Sequence, residues 1–334
     1  MEGLNILLKE VENAVSDKLN NKVEETLTEV RKQVEDYKKY TPTVVVKDGK
    51  EVAKISGLKH KRLNDLIKLV GADQNVILVG MAGTGKTKSA EQVAEALKLK
   101  FYCMSVGAQT SKADILGYMD ANGKYVSTAF RKAYEEGGVY VMDEIDAGNS
   151  NVLIVLNSAL SNGICSFPDG MIRKNDNFRF IATANTYGNG ADRTYVGRNQ
   201  LDGATLDRFI VLDWNVDEDL ERGLVEGYKF GMAWQDAVKK LRADIAQSGI
   251  RAIVSPRMSI KGATCLELGM TADDTIEMVV LPQIPADKRN EIKCKMNDYF
   301  AKSKKEFPPK EVKKTTDKIT VKKTEGQPKF ELEF

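Results

Sequence analysis

Gly80-Met81-Ala82-Gly83-Thr84-Gly85-Lys86-Thr87 sets glycines, a lysine and a hydroxyl in the spacing GxxxxGK[ST]. Backbone N–H groups from Met81 to Lys86 can curl around an anion there, at the start of a helix whose dipole favours negative charge. In such a loop Lys86 reaches the terminal phosphates of a nucleotide, and the Thr87 hydroxyl is an oxygen ligand for Mg2+. Asp143 and Glu144 follow the apolar run VYVM. Their chemistry suits an acid that holds the magnesium shell (Asp143) and one that orients and polarises an attacking water (Glu144). Asn185 closes the run FIATA, where its amide can position the same water or touch the terminal phosphate. Asparagine after a strand is equally a common turn residue.

The elements around these residues must bring them together. Val76 to Val79 is β-branched and apolar, the glycines break the chain, and from Thr87 the composition is helical: strand, loop, helix. Further strands are expected at 101–106, Val139–Met142 and 178–185, with helices at Ala129–Glu136 and Asn151–Asn162 between them. Such alternation predicts a largely parallel sheet, whose C-terminal edge would gather the loop, the acids and Asn185. Asp48-Gly49, Asn122-Gly123 and Pro168-Asp169-Gly170 each mark a β-hairpin. Beyond Trp214 helical patterns run over 217–230, 234–247, 256–268 and 272–280, which predicts a small separate helical domain. At the front, apolar residues from Leu4 to Val34 in steps of three and four make an amphipathic helix, either a coiled-coil surface or a helix docked on its own domain. From Ala301 the chain is lysine-rich and proline-interrupted and is expected to stay disordered, as a solvated tail or a tether to acidic partners or nucleic acid. The expected division is an N-terminal helix (1–40), a hairpin (41–56), a nucleotide-binding α/β domain (57–215), a helical domain (216–300) and a tail (301–334).

GMAGTGKT, VYVMDE, IATAN, LDRF (206–209) and SPR (255–257) together resemble the AAA+ ATPases. The match is to the branch containing MoxR, CbbQ, the cobaltochelatase subunit CobS and many phage-encoded relatives, of the dynein-related type. It covers roughly residues 57 to 285. The resemblance implies a P-loop α/β core with hairpin insertions, followed by a small α-helical lid. It makes Lys86 and Thr87 the Walker A pair, Asp143 and Glu144 the Walker B pair, Asn185 the first sensor and Arg257 the second. Arg208 then resembles the arginine finger that reaches a neighbouring subunit's nucleotide, with Arg193 and Arg198 as rivals and a purely structural arginine as the alternative. Met81 stands where the family often has proline, at a position expected to offer only its backbone to phosphate. The Asn122-Gly123 and Asp169-Gly170 hairpins would point into a hexamer's central channel. Tyr118, Tyr125 and Phe167 could there grip a partner, or simply pack across strands. His60 would either line the base pocket or be a surface or capping histidine.

A length of 334 residues suits one large domain and a smaller one. Lysine plus arginine (50) nearly balances aspartate plus glutamate (48), so overall charge gives no indication of nucleic acid or an anionic membrane and leaves local patches open. Four separated cysteines suggest neither a zinc site nor a disulfide framework and suit a reducing cytoplasm. No apolar run approaches the roughly 20 residues of a membrane span. The expected function is an Mg2+-dependent, ATP-hydrolysing ring, hexameric in that branch's manner, that remodels or activates a protein partner; the resemblance implies a partner with a von Willebrand factor A domain. Two alternatives stand beside it: a GTP-dependent nucleic-acid motor like McrB, and a non-hydrolysing scaffold held together by bound nucleotide.

Overall fold

The computed structural model describes residues 57–309 throughout, and before them 22, 24, 43–47 and 50–55. Nearly all of the expected N-terminal helix, the Asp48-Gly49 turn and the tail from 310 onward lie outside the described residues. In chain order the elements are β1 (Thr43–Lys47), β2 (Lys50–Ile55), α1 (Leu63–Gly71), β3 (Val76–Val79), α2 (Lys86–Leu97), β4 (Phe101–Ser105), α3 (Lys112–Leu116), β5 (Tyr118–Met119), β6 (Tyr125–Val126), α4 (Ala129–Glu136), β7 (Gly138–Asp143), α5 (Ser150–Leu153) and α6 (Val155–Asn162). They continue with β8 (Ile164–Phe167), β9 (Gly170–Arg173), β10 (Phe178–Ala184), α7 (Gly203–Leu206), β11 (Ile210–Asp213), α8 (Glu218–Val225), α9 (Gly231–Ser248), α10 (Pro256–Glu267), α11 (Ala272–Thr275) and α12 (Arg289–Glu306).

Five strands form one parallel sheet in the order β11-β3-β10-β7-β4. Both faces are covered, so the inner strands are mostly apolar, as buried parallel strands are, with Arg179 and Thr183 interrupting β10 and Asp143 closing β7. Side chains alternate between faces. Val76 and Leu78 of β3, with Val139 and Val141 of β7, pack on α1 and α2 beside Leu63, Leu66 and Val93. Ile77, Tyr140 and Met142 turn to the opposite face, into an aromatic cluster with Phe130 and Tyr134 of α4 and Phe178 and Phe180 of β10. The two expected inner hairpins are present as β5–β6 and β8–β9, and β1 pairs antiparallel with β2.

After β11 the chain is helical. Trp234 on α9 lies edge-on to Phe300 on α12, with ring centroids 5.5 Å apart, inside a core shared by α9, α10 and α12. α10 crosses α9 closely at Gly262, where a β-carbon would stand 1.9 Å from the Trp234 Nε1.

Several boundaries differ from expectation. The helix expected over 151–162 is divided at Ile154 into α5 and α6. The pattern over 272–280 is a single turn of α-helix followed by a π-helical turn, Ile276–Val280. Apolar residues recur at helical spacing from Leu58 to Val70, yet α1 begins only at Leu63, because His60 occupies the approach: its carbonyl accepts from the Leu63 N–H and its Nδ1 from the Arg62 N–H. The expected tail from 301 is corrected for its first residues. α12 runs on to Glu306, held because the buried Ser303 hydroxyl donates to Asp236 at 2.7 Å.

Candidate nucleotide-binding site

β10 lies between β3 and β7, so the ends of these three strands are neighbours by register: Ala184 pairs with Val79, and Ala182 with Met142. The residues that follow them, Gly80, Asn185 and Asp143 with Glu144, are therefore gathered at one sheet edge. Gly80 is required by the crowding there, since a β-carbon would meet the Trp214 carbonyl oxygen at 2.0 Å. Gly83 and Gly85 hold φ of +83° and +84°, turning the loop so that Gly85 precedes the first turn of α2.

Lys86 is buried, and its Nζ donates to the Gly80 carbonyl at 2.6 Å, the Met81 carbonyl at 3.0 Å and the Asn185 Oδ1 at 3.0 Å. Burial pushes its pKa down to about 8, while the carboxylates of Asp143, Asp146 and Glu144 pull it back upward. The Thr87 hydroxyl donates to Asp143 Oδ1 at 3.1 Å, and the Thr183 hydroxyl donates to the same oxygen. A hydroxyl and a carboxylate meeting in this way are the hard oxygen donors that suit Mg2+, which keeps waters and takes its remaining ligands from substrate phosphates. Among the described residues no group of three or more His, Cys, Asp or Glu could hold a metal unaided. The hydroxyl of Thr87 and the carboxylate of Asp143 fit magnesium that arrives with a nucleotide.

Glu144 adopts a left-handed conformation, φ +57°, and its N–H donates to Thr183 Oγ1 at 3.0 Å. Asp146, fully buried, accepts through Oδ2 from the N–H groups of Asn185 and Thr186 and from the Thr186 hydroxyl. It fixes the turn that aims the Asn185 amide at Lys86. Thr183, Asp146, Tyr195 and a same-chain role for Arg198 escaped the sequence reading. The first two carried a signal: Thr183 is the polar interruption of an apolar strand, and Asp146 is the third acid of DEID.

Residues 75–209 match the family model described as AAA domain (dynein-related subfamily). This stretch is an AAA domain. Among curated proteins, the chain is 30% identical over 217 residues to the aerobic cobaltochelatase subunit CobS of a Sinorhizobium species, covering 57% of this chain and 64% of that protein. It is 28% identical over 161 residues to the uncharacterized protein YojN of Bacillus subtilis, covering 45% of this chain and 51% of that one. The chain thus spans less than two thirds of either relative. Among solved structures, the Thermotoga maritima RuvB Holliday junction branch migration motor aligns over 72% of this chain and 69% of its own at 18% identity, with a TM-score of 0.43.

The remaining predicted residues sit around this AAA domain at different distances from the loop. Arg257 is exposed at the start of α10, and a β-carbon on Gly83 would touch its Cγ at 3.1 Å, so its stem lies against the phosphate loop. Arg193 lines, with Met81, Thr194 and Arg251, a cavity of about 270 Å³ between the loop and the helical region. Arg208 sits far from its own loop. Its carbonyl accepts from the Asn75 side chain, at the opposite end of β3, and its guanidinium donates to the Ser161 hydroxyl and the Ala204 carbonyl. The structure does not bring Arg208 to its own chain's Lys86. Arg198 does reach the site, with Nη1 3.3 Å from Glu144 Oε2 and 3.4 Å from Asp146 Oδ1.

For the aromatic and histidine residues the structure selects among the open alternatives. Phe167 is buried in the aromatic cluster, so it cannot face a channel. The Tyr125 hydroxyl donates to the Leu116 carbonyl, and Arg131 lies over its ring, which leaves Tyr118 with Met119 and Val126 as the exposed apolar surface of β5–β6. His60 is buried, stacked on Trp214 at 4.0 Å with Nε2 bonded to the Asn215 carbonyl, so it serves the chain rather than lining an open pocket.

Proposed function

We propose that this chain is a magnesium-dependent ATPase that assembles as a ring of identical subunits, a hexamer, and uses hydrolysis to remodel or activate a protein partner. The observation that carries the reading is the meeting of Lys86, Thr87, Asp143, Glu144 and Asn185 at the ends of three neighbouring parallel strands. Backbone N–H groups of Met81 to Lys86 would hold the β- and γ-phosphates, Lys86 turning from its loop carbonyls to the terminal phosphate. Thr87 and Asp143 would hold Mg2+, which when bound supplies charge neutralisation on the transferred phosphoryl group. Glu144 would align and polarise water, with Asn185 fixing that water's position. Arg257 would sense the nucleotide from the helical lid. Arg208, remote from its own loop, would act on the neighbouring subunit's nucleotide.

A partner with a von Willebrand factor A domain fits the resemblance to the MoxR, CbbQ and CobS branch, and the exposed Tyr118, Met119 and Val126 of β5–β6 offer an apolar contact for it. The cellular setting that fits is cytoplasmic; among the described residues no helix is long and apolar enough to cross a membrane. Lys86→Ala should abolish tight ATP binding, because the ammonium offsets ground-state phosphate charge, while Glu144→Gln should bind ATP and lose turnover, because Glu144 acts as water is activated. Nucleotide affinity and phosphate release, each measured with ATP and with GTP, test this. Normal hydrolysis by Glu144→Gln removes Glu144 from the chemistry, and preferential GTP turnover replaces the reading by the nucleic-acid motor.

A further inference from the structure

Residues 188–201 form a closed excursion over the phosphate loop. Its base is pinned where the Leu201 N–H donates to the Gly188 carbonyl, Asn189 bridges Gln200, and Asn199 bonds the carbonyls of Asp146, Ala147 and Gly148. Its tip is shaped by Asp192, whose carboxylate accepts from the N–H groups of Thr194 and Tyr195. Two side chains descend from this excursion into the site. The Tyr195 hydroxyl accepts the Ala82 N–H at 3.0 Å, one of the amides that would cradle a phosphate. Arg198 pairs with Glu144 Oε2, and its guanidinium carbon lies 6.0 Å from the centre of the Tyr195 ring.

We propose that Tyr195 and Arg198 form a latch through which nucleotide binding releases Glu144 for catalysis. Phosphate oxygen and the Tyr195 hydroxyl compete for the same N–H, so a nucleotide must displace Tyr195 to seat fully. Displacing Tyr195 removes the ring that flanks Arg198, and Arg198 then shifts fully onto its second partner, buried Asp146, 3.4 Å away, leaving the Glu144 carboxylate to turn from its ion pair to the water. In the resting protein Glu144 is engaged before any water is bound, so wasteful hydrolysis is held down until the loop is filled. Tyr195 and Arg198 are positioning residues: they act through Ala82 and Glu144 and take no part in the transfer. Arg198, placed beside its own chain's acids, is thereby separated from the role of Arg208.

The latch rests on the function proposed above, and its test distinguishes the two. Tyr195→Phe keeps the ring and loses the acceptor, so its ATP Kd should fall by about two- to tenfold, the size of one net hydrogen bond. Arg198→Gln should leave Kd within about twofold and raise kcat by about two- to tenfold on the same measure, with Arg198→Lys between it and wild type. Thermal melts establish that each variant is folded, and Arg198→Lys carries the test if Arg198→Gln does not fold. Tyr195→Phe with unchanged or weaker ATP binding overturns the latch, as does a lowered kcat in a folded Arg198 variant, which would place that arginine in the chemical step. Wild-type protein that binds no nucleotide overturns the function and the latch together.

Discussion

At the scale of single residues, Glu144 and Lys86 each sit in an arrangement the chain would not adopt for packing alone. A non-glycine residue at φ +57° costs on the order of 1–3 kcal/mol and persists only where its surroundings impose it. Here the bond from its N–H to Thr183 and the pairing with Arg198 impose it. Lys86 is a buried ammonium with its pKa pushed down to about 8, chiefly by loss of solvent. In the free protein it becomes neutral as pH rises through that value, whereas bound phosphates favour the charged form, so binding above it takes up a proton. ATP affinity should therefore be flat below about pH 8 and weaken at higher pH, by at most about tenfold per unit. Titrations of ATP affinity between about pH 7 and about pH 9.5 read this directly; an affinity independent of pH over that range would show that Lys86 keeps its proton. The loop, the acids and Asn185 were legible in the sequence because their types and spacing are themselves the chemistry. Asp146 left only the third acid of DEID as a trace, while Tyr195 and the pairing of Arg198 with Glu144 left none, since both depend on where a long excursion folds back, and no local pattern encodes that.

At the scale of elements, the alternation of strands and helices was legible because buried parallel strands are short apolar runs and the helices between them keep one apolar face. β11 was not anticipated: its four residues, IVLD, follow the short α7 without a turn signal of their own. α12 was not anticipated as an element, and its last turns were placed in the tail, because lysines dominate its composition while a few spaced residues, Met296, Phe300 and Ser303, do the burying. The crossing of α9 and α10 depends on one absent side chain. Gly262→Ala would drive a methyl into the Trp234 ring, at a cost of roughly 1–3 kcal/mol from overpacking. Denaturant unfolding should show that loss in a variant that still binds ATP; an unchanged midpoint would mean that the two helices separate freely at this point.

At the scale of the whole molecule, the sheet sets a boundary on what one subunit can do. Its C-terminal edge carries the phosphate loop and both acids, while Arg208 is fixed near the other end of β3 by Ser161 and Ala204. Beside it β11 is an edge strand with Ile210 and Val211 exposed. An arginine that completes a phosphoryl-transfer site from a neighbouring subunit contributes about 10³ to 10⁵ in rate, so Arg208→Ala should bind ATP and hydrolyse it very slowly. Mixing tests the central claim most directly, because Arg208→Ala and Lys86→Ala subunits should each be nearly inactive alone yet together should build an interface with an intact loop facing an intact arginine. Phosphate release measured on the two proteins apart and after subunit exchange should reappear only in the mixture. Wild-type turnover by Arg208→Ala alone would contradict the account, because every catalytic group would then lie within one chain.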